Sequence, residues 1–312
     1  MKFARSAFLA ITAASVALPV AATAQTQRPD LVRIGTTAND SYAEPFYAKD
    51  IGFFDRAGLA TDVQAFANGA GVTTALGGNA LDAGITNGIS LANAVEHGLP
   101  FQFFAAAGTY NREEVALVVA GDSPYHVAKD LNGKTLGTSA IKDANSLHMV
   151  AWIDQNGGDS STVQLVEVPF SAMAATVKRG TVAAAPIAEP ALTLAKAQGL
   201  RVIGHPMDVY GQHFMVGGWC ARTDYIAANL PLLRKLTAVI YQTAQWANTH
   251  PEETAMILAK YSKIDVDLVR KMNRSPYGTA LTPAMLQPYL DLGYRYKYIG
   301  KQLEAGDLIA KL

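Results

Sequence analysis

The chemistry-bearing residues of this sequence are single polar side chains at the ends of apolar strands. Asn87 follows Ala83-Gly84-Ile85-Thr86 and Glu189 follows Ala185-Pro186-Ile187-Ala188, each directly before a helix-like stretch. An amide at such a turn donates and accepts for a bound molecule, and equally caps the helix. A carboxylate there is favoured by the helix dipole alone. Turned into a cleft, it would select an amino, amidine or ring N–H donor, because an unpaired buried carboxylate costs several kcal/mol. Thr138-Ser139-Ala140 leaves a strand as Thr36-Thr37-Ala38 does, and Asn145-Ser146 sits at the next helix start. Such hydroxyls and amides beside free N–H groups suit an anion, each helix end contributing about 0.3–1 kcal/mol; capping is the other use of Ser146. Tyr42, just before the first helix, either walls such a cleft or lies exposed on its loop.

Catalysis and metal binding find little footing. His97, His126, His148, His205, His213 and His250 contain no His-x-x-x-His pair, and Cys220 is the only cysteine, so no metal, cofactor or catalytic residue is expected. Gly133-Lys134-Thr135 has Ala128 where a phosphate loop needs Gly, and Gly88-Ile89-Ser90-Leu91-Ala92 ends on Ala where a nucleophile elbow has Gly.

The elements that position these residues alternate. Leu31–Gly35, Ala60–Phe66 and Ala83–Thr86 read as strands; Pro45–Phe54, Val72–Leu76 and Ile89–Glu96 read as helices. This predicts βαβ units and sheets covered by helices. A shift of about 102 residues overlays Thr61–Gly98 on Val163–Gly199, placing Asn87 on Glu189 and Gly88 on Pro190. One plan used twice predicts two lobes whose strand ends face each other across a cleft. From Leu232 onward long helical stretches follow, with Pro231, Pro251 and Pro283 at their starts, where a missing N–H is harmless.

With 312 residues, 50 % hydrophobic and 17 % charged, the chain has material for two cores, and Lys+Arg 26 against Asp+Glu 26 gives no basic footprint for nucleic acid. Lys2 and Arg5 before the apolar run Ala7 to Val20, with Ala22-Thr23-Ala24 after it, predict a cleavable signal peptide over residues 1–24. The mature chain would begin near Gln25, and its net charge without Lys2 and Arg5 would be 26 − 2 − 26 = −2. Cys220 lies too far along to be a lipid-anchor cysteine, so a periplasmic protein is expected.

Ala43-Glu44-Pro45-Phe46-Tyr47-Ala48-Lys49-Asp50-Ile51-Gly52-Phe53-Phe54 with Ala57-Gly58-Leu59, then Asn68-Gly69-Ala70, Gly78 to Gly84, Asp130-Leu131-Asn132-Gly133-Lys134 and Ala188-Glu189-Pro190, in that order, resemble the nitrate/sulfonate/taurine-type solute-binding proteins of ABC importers. The resemblance runs from Leu31 to about Gly204. It implies an α/β, type II periplasmic-binding fold: two lobes joined by two crossing strands, with the C-terminal helices on lobe one. The crossings would fall near Glu113–Ala120 and His213–Arg222, making lobe one residues 25–118 plus 217–312 and lobe two residues 119–216. Thr109 and Tyr110 would then reach the hinge side of the cleft, and His213 and Trp219 would lie on the second crossing, Trp219 stacking on a ligand or filling the core. Tyr289, Tyr294, Tyr296 and Tyr298 read as packing residues. Two departures stand out. Thr181-Val182-Ala183-Ala184-Ala185 lacks an Asp answering Asp82, and the cysteine-rich motif of the pyrimidine-synthase relatives is missing.

The expectation is a monomeric receptor that captures a small organic solute (sulfonate, amine-bearing or pyrimidine-like) by hinge closure and delivers it to an ABC permease. The alternative is an enzyme acting on a pyrimidine or related metabolite with the same fold.

Overall fold

A computed structural model describes residues 31–312; the expected signal peptide, residues 1–24, lies outside the described residues. The first lobe opens with β1 (Val32–Thr36), α1 (Glu44–Asp50), α2 (Phe53–Arg56), β2 (Thr61–Ala65), α3 (Gly69–Gly77), β3 (Ala83–Thr86), α4 (Gly88–Glu96) and β4 (Phe101–Ala106). The second holds β5 (Val115–Val119), β6 (Thr135–Thr138), α5 (Ala144–Gln155), β7 (Gln164–Glu167), α6 (Phe170–Lys178), β8 (Ala185–Ala188), α7 (Ala191–Ala197) and β9 (Arg201–Gly204). The chain then returns through β10 (Gly218–Arg222) to α8 (Thr223–Ala228), α9 (Leu230–Ala247), α10 (Pro251–Ser262), α11 (Val266–Val269) and α12 (Pro283–Arg295). The single helix expected over Pro45–Phe54 is two, because Gly52 takes φ +74°, a left-handed conformation that side chains disfavour.

Strand order in the first lobe is β2-β1-β3-β10-β4, parallel except for β10. In the second, β5 runs antiparallel between β8 and β9, β6 pairs in parallel with β7, and a bridge from Leu136 to Ala184 joins the two groups. Its order is therefore β7-β6-β8-β5-β9, the same plan with one antiparallel strand in fourth place. The repeat seen in the sequence is structural: β2-α3-β3-α4 answers β7-α6-β8-α7.

All five residues of β5 are buried, and the whole strand pairs within the second lobe. The first crossing therefore lies at residues 107–114, upstream of the expected Val118/Val119 division. There the two connectors zip together: Ala107 N–H donates to Gly217 O at 3.0 Å, Val216 N–H to Gly108 O at 2.8 Å and Tyr110 N–H to Phe214 O at 3.1 Å. Gly108 has to be glycine, since a Cβ there would meet the Ser41 Cα at 2.5 Å.

The C-terminal helices pack on lobe one. Leu233, Leu236, Val239, Ile240, Thr243, Ala244 and Ala247 form the buried stripe of α9, three and four residues apart, which covers α1. Asp82, where the family resemblance centres on a turn, accepts from Arg33 N–H at 2.8 Å, Nε at 2.9 Å and Nη2 at 2.6 Å, so it holds β1 to the turn before β3. A second polar anchor is Asp40, 0 % exposed. Arg274 reaches it through Nε at 3.1 and 3.2 Å and Nη2 at 2.9 Å, and Ser275 N–H donates to it at 2.6 Å. The loop before α12 is thereby fastened to the start of α1. Among the described residues, no helix is long and apolar enough to cross a membrane.

Candidate functional site

The loops after β1 and β3 meet the start of α5 and the loop after β8 around an enclosed chamber. Thr37, Asn39, Ser41, Tyr42, Gly69 and Asn87 line it from the first lobe; Glu114, Val115, Asp143, Ala144, Asn145, His148, Phe170 and Ala188 face them, and Met207, Val216 and Tyr289 complete the wall. Its volume is about 40 Å³, on the scale by which one water needs about 10–15 Å³. That is room for a group of roughly three or four heavy atoms. An outer chamber of about 300 Å³ shares Thr37, Asn39, Phe170 and Ala188 with the inner one and adds Phe66, Pro169, Pro190 and Ile264, with Glu189 at its edge.

The lobes are latched across this space by Asp143, the N-cap of α5 and 3 % exposed. Its Oδ1 accepts from Asn87 Nδ2 at 2.7 Å and Ser90 Oγ at 2.8 Å, both on the first lobe, and from its own helix at Ala144 N–H, 2.6 Å. Asn87 also caps α4, its Oδ1 accepting from Ser90 N–H at 2.8 Å. Two helix N-termini thus converge on one carboxyl group, an arrangement their dipoles favour. Asn68 Nδ2 to Ser139 O at 3.0 Å, Asn93 Nδ2 to Lys142 O at 2.9 Å and Asp40 N–H to Glu189 O at 3.1 Å add further ties between the lobes.

Several chamber groups have no partner. Ser41 Oγ, both Glu114 carboxyl oxygens and both His148 ring nitrogens are buried without a hydrogen bond, though such groups are normally paired. Burial pushes the Glu114 carboxyl up to about 8; the Ser41 and Ser275 hydroxyls and the Ser41 N–H beside it oppose that rise, though none of them meets it with the geometry of a full hydrogen bond. Burial likewise holds the His148 imidazole down at about 3, so it is neutral at physiological pH. Tyr210 packs on Tyr289 with ring centroids 4.3 Å apart and on His148 at 6.1 Å, backing the chamber with aromatic surface.

Of the residues singled out in the sequence, Tyr42, Asn87 and Asn145 line the inner chamber, Tyr42 with its hydroxyl donating to Val216 O at 3.1 Å. Ser139 stands just behind, accepting from Asn145 Nδ2 at 2.7 Å. Ser146 turns away to close the capping box with Asp143, its hydroxyl accepting from Asp143 N–H at 3.1 Å. Thr109 and Tyr110 lie on the crossing but outside the chamber: Thr109 Oγ1 donates to Pro276 O at 3.0 Å, and Tyr110 bonds Asp208. His213 is exposed, and Trp219 is fully buried with Nε1 donating to Glu44 Oε2 at 2.8 Å, so it fills the core. Tyr289, expected only to pack, is a chamber wall.

Glu189 reaches only the outer chamber. Its two oxygens accept from Thr193 N–H and Thr193 Oγ1, each at 2.9 Å, capping α7; burial raises it to about 7, with Thr193 opposing the rise. Glu189→Gln is expected to change solute affinity by less than about threefold, under roughly 0.7 kcal/mol, and to lower stability by about 1 kcal/mol. Calorimetric titration checks this; a loss above about tenfold would mean that the carboxyl meets the solute directly.

Residues 39–254 match the sequence profile of the family described as NMT1/THI5 like. The chain belongs to that family. A Brucella abortus protein, provisionally named a binding protein, is 25 % identical over 265 residues, covering 84 % of this chain and 80 % of its own. Among solved structures, the alkanesulfonate-binding protein SsuA of Xanthomonas axonopodis pv. citri, bound to MOPS, superposes with TM-score 0.78 at 16 % identity over 91 % of this chain and 99 % of that one. The nitrate-binding protein NrtA of Synechocystis does so with TM-score 0.74 at 15 % identity, over 89 % and 84 %. These establish the two-lobed periplasmic-binding fold for this NMT1/THI5-like chain. The fold also carries an enzyme, the desulfurization enzyme DSZB, with TM-score 0.65 at 14 % identity over 90 % and 96 %.

Proposed function

We propose that this protein is a monomeric extracytoplasmic receptor that closes its two lobes on a small organic solute and delivers it to an ABC permease. The observation that carries the reading is the chamber itself: side chains from both lobes wall it, and Ser41, Glu114 and His148 offer it unpaired polar atoms. Closure follows from that geometry, because a solute touching both lobes binds the closed form better than the open one. Swinging the population from 1:99 to 99:1 needs about 5.5 kcal/mol of such differential binding. Family membership and the sulfonate- and nitrate-binding neighbours support the same reading.

Against the alternative, an enzyme on this fold, stands the chamber's chemistry. Ser41 and His148 share it, but no hydrogen bond joins hydroxyl to imidazole, the contact by which a base activates a nucleophile. The deciding experiment is a thermal-shift screen of sulfonates, taurine-like amines, nitrate-like ions, pyrimidine precursors and aromatic acids. A ligand at a hundred times its dissociation constant should stabilise by about 2.7 kcal/mol. It should bind one per chain and be recovered unchanged on denaturation. No shift with any class would contradict the receptor, and a transformed product would favour the enzyme.

A further inference from the structure

The donors that converge between the lobes are already matched. The N-termini of α4 and α5 aim at one place, and the protein's own Asp143 carboxyl fills it, taking the Asn87 amide, the Ser90 hydroxyl and the Ala144 N–H. An anion entering the inner chamber would have to displace that carboxyl or sit against it. What the chamber leaves unpaired is of the opposite kind. Glu114 and His148 are 0 % and 3 % exposed, and all four of their polar atoms lack partners. Ionised, the carboxyl accepts at both oxygens; protonated, it donates from one of them; and the neutral imidazole offers one acceptor and one donor nitrogen in either tautomer. Among the described residues, no Lys or Arg lines the chamber.

From this geometry we propose that the site takes an organic cation, its ammonium or amidinium head in the inner chamber against Glu114 and His148 and its apolar or aromatic remainder in the outer chamber. The proposal rests on the receptor reading above and names its ligand class. Size agrees: an amidinium has three heavy atoms, within the roughly three or four that the inner chamber holds. Tyr42 and Tyr289 both line the inner wall, and aromatic rings near a cation attract it. Phe66, Phe170 and Ile264 give the outer chamber its apolar lining.

Glu114 then loses a proton as the cation binds. Burial keeps its carboxyl protonated up to about pH 8, and a cation in contact favours the charged form. The groups that face it are the Ser41 and Ser275 hydroxyls, Asp40 with its partner Arg274, Tyr42 and Tyr289, and across the chamber Asp143 and His148. His148, held at about 3, does not titrate near neutrality. Glu189, raised to about 7, stands at the edge of the outer chamber with both oxygens taken by Thr193, away from the cation head. Below about pH 8 the Glu114 carboxyl must give up its proton to pair with the cation, so affinity should rise with pH by up to about tenfold per unit between about pH 6 and 8 and then level off.

The test is calorimetric titration with benzamidine and with benzenesulfonate, which present the same ring with opposite charge, alongside methylammonium and guanidinium. Benzamidine is expected to bind about 100-fold more tightly than benzenesulfonate. Repeated at pH 7 in buffers of different ionisation enthalpy, the titration should show close to one proton released. Glu114→Gln should abolish the release and weaken benzamidine about 30-fold, while Glu114→Asp, which keeps the charge, should retain release. Equal or tighter binding of benzenesulfonate, benzamidine binding without proton release, or no binding of any of the four probes would overturn the proposal. Compaction of the protein by benzenesulfonate, or by another solute of the screen, would then leave the receptor reading standing. No compaction by any solute would remove both.

Discussion

Arg274→Ala should be the most destabilising single change in lobe one, lowering unfolding free energy by about 3–5 kcal/mol. Asp40 is 0 % exposed and receives the guanidinium at 2.9–3.2 Å, Ser275 N–H at 2.6 Å and the Tyr47 hydroxyl at 3.3 Å. Removing the cation leaves a carboxylate in a site that water cannot reach, and the penalty is the desolvation of that charge rather than the intrinsic worth of the pair. Arg274 also joins Thr254 on α10 at 3.0 Å and the Tyr47 hydroxyl at 2.9 Å, so those contacts fail together. Thermal unfolding should drop by about 10 °C on the usual scale of 2–4 °C per kcal/mol. The double variant Asp40→Asn with Arg274→Ala should recover part of the loss, since it removes the stranded charge. A drop of under about 1 kcal/mol in Arg274→Ala would show that Asp40 finds water or another donor.

The second large effect concerns closure. Asp143→Ala removes the acceptor that Asn87 and Ser90 share across the lobes, leaving two donors that are 5 % and 7 % exposed unsatisfied in the closed form only. Each unmet buried donor costs about 1–3 kcal/mol, and opening rehydrates both. The closed-to-open ratio should therefore fall about 100-fold, and apparent solute affinity should fall in step with the closed fraction, because binding is scaled by the competent fraction. Small-angle scattering should give the variant a larger radius of gyration than the unmodified protein in the same buffer. Loss of the α5 cap adds about 1 kcal/mol of helix destabilisation. That part is separated by Ser146→Ala, which weakens the capping box without touching the latch. Identical scattering curves for Asp143→Ala and the unmodified chain would mean that the latch does not hold the lobes.

How much of this was legible in the sequence depended on range. Asn87 could be placed because its role is local: an apolar strand before it and a helix after it fix where the amide stands. The duplicated plan was visible for the same reason, since β2-α3-β3-α4 and β7-α6-β8-α7 are each contiguous. Glu114 gave no such signal. It follows Arg112 and Glu113 in what reads as a solvated charged turn, and only the pairing of β5 inside the second lobe carries it under Ser41 and Ser275. Asp143 had one, the Asp-x-x-Ser capping box running to Ser146, but that box predicts a helix start and is silent about Asn87 and Ser90, more than fifty residues earlier. Glu189 shows the converse case: the sequence offered it both a place in the cleft and a helix-start role, and Thr193, four residues on, holds both of its oxygens locally. Trp219 and His213 flank the second crossing as expected, but the connector bonds use residues 214–217 between them, leaving Trp219 in the core on Glu44 and His213 at the surface.

The most direct test is a crystal structure of the protein with the tightest solute from the thermal-shift screen. The closed-lobe reading predicts both lobes in contact and one solute molecule with its polar head in the inner chamber, within hydrogen-bonding distance of Glu114 and His148. Solute bound instead in the open groove beside Arg112, His205 and Asp208, or held by one lobe with the other swung away, would contradict it.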